Sequence, residues 1–64
     1  MIKENRIKKG YTQEQLAEIL DISWRQLQRI EKNENGTKIT TLKKIIKVLD
    51  IPDEELLNFL KNFD

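Results

Sequence analysis

The chain carries no Cys and no His. That removes the thiol nucleophile, the commonest general base and the usual zinc ligand sets. It has no Gly-rich phosphate loop and no carboxylate pair placed to face a pocket, so neither enzymatic activity nor a cofactor or metal is expected. The side chains with chemical reach gather in residues 23–32, where Trp24, Arg25, Gln28, Arg29 and Lys32 stand against one acid, Glu31. Guanidinium and carboxamide groups make paired hydrogen bonds to planar acceptors, and an ammonium pairs with anions. This is the chemistry of recognition, not of bond making.

Such a cluster works only if a rigid element presents it, and the punctuation of the chain supplies one. Ser23-Trp24-Arg25-Gln26 is a capping box, with Ser ahead of the helix and Gln at its third position. The helix it opens, about residues 24–31, turns Leu27 and Ile30 one way and Trp24, Arg25 and Arg29 the other, with Gln28 beside them. Thr12-Gln13-Glu14-Gln15 is a second capping box and opens a helix at 13–20, whose apolar residues are Leu16, Ala17, Ile19 and Leu20. Between the two helices only Asp21 and Ile22 intervene before the next cap. A turn this short needs a residue that accepts the left-handed conformation, and Asp is among the few besides Gly that do.

Three further helices are expected. One at 2–9 carries Ile2 and Ile7 and stops at Gly10. One at 39–49 carries Ile39, Leu42, Ile45, Ile46, Val48 and Leu49, with Lys38 a poor cap. One at 53–62 follows Pro52, and Asp53, Glu54 and Glu55 in its first turn complement the helix dipole. No segment reads as a strand. The expected fold is all-α: one five-helix domain over residues 1–64.

Length and charge bound the rest. Sixty-four residues leave room for one small core, completed by apolar packing and, if need be, by a second subunit. No apolar run reaches the roughly 20 residues of a membrane span, and the N-terminus lacks the apolar stretch of a secretory signal. A cytoplasmic protein is expected. Residues 1–49 hold eleven Lys and Arg against six acids, while residues 50–64 hold one Lys against five acids. A basic body and an acidic tail suit contact with a polyanion, although two solvated faces would give the same count.

Across residues 6–57 the chain resembles the Cro/repressor (XRE) family of helix-turn-helix DNA-binding domains. The residues that carry the resemblance are Arg6, Gly10, Thr12-Gln13-Glu14-Gln15-Leu16-Ala17, Ile22-Ser23, Ile30-Glu31 and Leu42 with Leu49-Asp50-Ile51. It departs from the family at Asp21 and Asp50, where Gly is usual, at Asn33, another common Gly, and at Thr37, often Pro. Trp24 is also an unusual residue for the head of the third helix.

The resemblance implies a five-helix bundle of the lambda-repressor type, with helices two and three as the helix-turn-helix. It implies binding to double-stranded DNA through the major groove, at a palindromic operator, by a regulator of transcription, most simply a repressor of phage, plasmid or mobile-element type. Trp24, Arg25, Gln28 and Arg29 would read bases. Thr12, Gln13, Ser23, Lys32, Asn33, Asn35 and Lys38 would hold phosphates. Arg6 and Glu31 resemble an Arg–Glu pair that links helices one and three, and a structural role is preferred to a phosphate contact. The ring of Trp24 either meets a thymine methyl or sugar, or covers the end of the core.

On the last helix Leu56, Phe59, Leu60 and Phe63 form an apolar stripe, broadened by Leu57. It would either complete the core or, through Leu57, Phe59, Leu60 and Phe63, face a second copy in a homodimer. The rival reading is a protein-interaction module, an antitoxin or adaptor built on the same fold without DNA binding. The basic character of the third helix argues against it.

Overall fold

The computed structural model describes residues 1–62. Five α-helices follow one another: α1 (Ile2–Lys8), α2 (Gln13–Leu20), α3 (Trp24–Lys32), α4 (Ile39–Leu49) and α5 (Asp53–Lys61), with a 3-10 turn at Glu34–Gly36 between α3 and α4. The described residues form no strand. The fold is the all-α bundle expected, and Phe63 lies outside the described residues.

Both capping boxes are formed. Thr12 Oγ1 accepts from the Gln15 amide at 3.0 Å, and the Gln15 side chain accepts from the Thr12 amide at 2.9 Å. Ser23 and Gln26 repeat the exchange at 3.1 and 2.9 Å. Each box satisfies backbone donors that an α-helix leaves open at its start. Replacing Ser23 with Ala is expected to cost about 1 kcal/mol, read as a lower midpoint in thermal unfolding. An unchanged midpoint would mean that the α3 cap is already frayed.

Three helices end in the same way. Gly10, Asp21 and Asp50 take left-handed backbone conformations, with φ of 79°, 57° and 53°. After each, the next amide reaches back across the last turn: Tyr11 to the Arg6 carbonyl, Ile22 to Ala17 and Ile51 to Ile46. This backward bond with an apolar residue behind it is the Schellman arrangement. It plugs Tyr11, Ile22 and Ile51 into or against the core, and so sets the angle at which each next helix departs. The two Asp residues serve where Gly is usual because a short polar side chain tolerates this region.

The core is Ile2, Leu16, Ala17, Leu20, Leu27, Leu42, Ile45, Leu49 and Ile51, with Ile22, Ile30 and Phe59 among the side chains packed against it. α2 packs on α3 and on α4, and α1 on α4. Ala17 is the small residue that lets α2 approach its neighbours. Three residues expected on apolar faces lie in solvent instead: Ile7, Ile19 and Ile39. The reason is angular. Ile19 sits roughly 100° around α2 from the middle of the Leu16, Ala17 and Leu20 arc, too far to follow it inward.

Polar contacts fasten the outer elements. The Ile2 amide donates to Glu34 Oε2 at 2.8 Å, so the turn after α3 closes the start of α1. Asn5, buried on α1, donates from Nδ2 to Glu55 Oε1 of α5 at 2.8 Å. The terminal ammonium meets Glu4 and Glu34. Burial alone would lower its pKa, but the two carboxylates outweigh burial and raise it. The same hydrogen bond from the ammonium holds the Glu4 carboxyl below its usual range.

Candidate nucleic-acid interface

α3 buries one face and shows the other. Leu27 is fully buried and Ile30 half-buried, while Arg25, Arg29 and Lys32 are exposed and Gln28 is half-buried. Trp24 opens the helix with about half of its surface, 47 %, in solvent. These side chains share one outward arc because residues one, four, five and eight apart fall within a half-turn of each other on a 3.6-residue helix.

The one acid of the segment, Glu31, is withdrawn from that arc. Its side chain is 5 % exposed and pairs with Arg6, whose side chain is 10 % exposed. Arg6 Nε donates to Glu31 Oε2 at 2.8 Å and Nη2 to Oε1 at 3.4 Å, while Nη1 donates to the Tyr11 carbonyl at 2.9 Å. The pair ties α1 to α3 and neutralises Glu31. The exposed arc is therefore left with positive charge alone.

The chain of hydrogen bonds runs on. Gln13 Nε2 donates to Glu31 Oε1 at 3.0 Å, and Gln13 Oε1 accepts from Trp24 Nε1 at 3.0 Å. An indole only donates and a carboxylate only accepts, which fixes the orientation of the Gln13 amide between them. Gln13 thus joins the head of α3 to the buried ion pair, with one amide hydrogen left over. Nothing in the sequence spacing signals this link, because residues 13, 24 and 31 follow no common period.

The remaining residues assigned to phosphate surround the arc. Thr12 and Ser23 stand exposed at the heads of α2 and α3. Each uses its oxygen to accept within its capping box, so its hydroxyl hydrogen is still available to donate. Lys32, Asn33, Asn35 and Lys38 are exposed at the end of α3 and along the following turn. Glu34, the one acid in that turn, is folded back onto the start of α1, an arrangement absent from the sequence expectations. Lys38 heads α4 without a side-chain cap bond. Lys43, Lys44 and Lys47 are exposed along α4 and form a separate basic strip.

Among the described residues no group of Asp and Glu is placed to hold a metal ion. No helix there is long and apolar enough to cross a membrane.

Two helices crossing at a left-handed turn, the second presenting a cationic arc, define a helix-turn-helix unit of the DNA-binding kind. A family model described as helix-turn-helix matches residues 2–56. The chain belongs to that family, the XRE-type DNA-binding regulators. No curated protein and no solved structure matches it significantly.

Proposed function

We propose that this domain is a sequence-specific repressor that lays α3 in the major groove of a palindromic operator. The observation that carries this reading is the outward arc of α3, all of its exposed charge positive because Glu31 is paired with Arg6 beneath it. Arg25 and Arg29 are suited to the two acceptors on the guanine edge, and Gln28 to adenine. Thr12, Gln13, Ser23, Lys32, Asn33, Asn35 and Lys38 flank the arc and contact phosphate, which sets register without reading sequence. Gln13 does so with its one remaining amide hydrogen. The protein acts in the cytoplasm, on the nucleoid, in a control circuit of phage, plasmid or mobile-element type.

A palindrome implies two copies. Of the apolar stripe on α5, Phe59 packs against the core, whereas Leu57 and Leu60 are 58 % and 50 % exposed. These two leucines are the proposed dimer contact, which would set the α3 helices about 34 Å apart, one turn of DNA. Replacing both with Glu is expected to halve the mass in sedimentation and weaken operator binding. Helical content should not change, since neither side chain belongs to the core. An unaltered sedimentation coefficient would place the contact elsewhere.

The direct test is selection from random duplexes with the purified chain at two salt concentrations. A palindrome should be enriched, with affinity falling steeply as salt rises. Recovery of random sequence would refute base reading and favour the protein-interaction module.

A further inference from the structure

We infer that Trp24 reads the 5-methyl group of a thymine, as a carbon surface held in place from behind. The inference rests on the DNA-binding reading above and specifies which feature of the base edge this residue takes. Trp24 is the first residue of α3, and the N-terminal residues of a recognition helix reach base edges. The indole has a single hydrogen-bonding group, Nε1–H, and it is engaged with Gln13 Oε1 at 3.0 Å. Gln13 is held from its other end by Glu31, and Glu31 by Arg6. The donor edge of the ring is therefore fixed toward α2, and what it offers to solvent, on a residue 47 % exposed, is carbon.

In the major groove, thymine is the base that presents an apolar group, its C5 methyl, alongside the hydrogen-bonding atoms all four bases show. A ring without a free donor gains nothing from those polar atoms and gains from burying the methyl. Arg25, Gln28 and Arg29 carry the polar reading beside it. Anchoring also matters. A side chain already held in one rotamer loses little freedom on binding.

The test uses the selected duplex and derivatives in which each thymine is replaced, one at a time, by deoxyuridine, which lacks only the methyl. At one thymine in each half-site the replacement should weaken binding about fourfold, the value of burying one methyl-sized group. Trp24→Phe drops the anchoring donor and part of the carbon surface, so it should show a smaller dependence. Trp24→Ala should lose it, provided circular dichroism shows an intact fold.

Specific binding that ignores uridine at every thymine would overturn the inference and leave the DNA-binding reading standing. Retention of the full methyl dependence in Trp24→Ala would also overturn it, because another side chain would then be meeting the methyl. Failure of the wild type to prefer any sequence would refute the DNA-binding reading, and this inference with it.

Discussion

Glu31→Ala is expected to remove about 3–5 kcal/mol, a large share of the domain's stability. Glu31 and Arg6 are both nearly excluded from water, and their side chains meet at 2.8 Å. Removing one partner of a buried pair strands the other charge, which typically costs about 3–5 kcal/mol. A chain of this length has a total stability of the same order, at about 0.05–0.15 kcal/mol per residue. One further bond goes with the carboxylate: Gln13 loses its acceptor, so the link from Gln13 to Trp24 is no longer braced. The double replacement Arg6→Met with Glu31→Leu should recover most of the loss, because it removes both charges and refills the volume. Denaturant titration of wild type, single and double variants checks both statements. A single variant within a few tenths of a kcal/mol of wild type would mean that the pair behaves as a screened surface bridge.

Arg29→Ala is expected to lose about 1–3 kcal/mol of discrimination between operator and random duplex, while non-specific affinity falls only slightly. Arg29 is exposed on the arc opposite Leu27, so truncating it leaves the fold intact. The contrasting variant is Lys38→Ala. Lys38 heads α4 beside the turn, and its loss should weaken binding to both duplexes about equally and reduce the salt slope by about one. Gln13→Ala is a poorer contrast, since it also releases Trp24 from α2. Fluorescence anisotropy on both duplexes over a salt series reads all three variants. Equal losses on operator and random DNA for Arg29→Ala would remove it from the base-reading set.

Much of the fold is legible in the chain because its signals are local. The capping boxes at Thr12 and Ser23 work within four residues, and the left-handed turn at Asp21 within two. Helical spacing places Leu16, Leu20 and Leu27 inside. Long-range polar contacts have no such signature. Asn5 with Glu55, Ile2 with Glu34 and Gln13 with Glu31 join residues far apart in the chain, and only the packed bundle brings them together. For the same reason hydropathy alone misplaces Ile7, Ile19 and Ile39, which lie just outside arcs that tertiary packing defines. The recognition arc falls between these cases. Its residues follow helix period, but the withdrawal of Glu31 from it depends on Arg6, one helix away.

Backbone amide shifts of the labelled protein, followed while the selected duplex is added, test most directly whether α3 is the surface that meets DNA. The largest changes should fall along α3 and the turn at 33–38, with a second group at the head of α2, and little change on α5 beyond any dimer contact. Changes centred on α5 or on the exposed side of α1, with α3 unmoved, would contradict it.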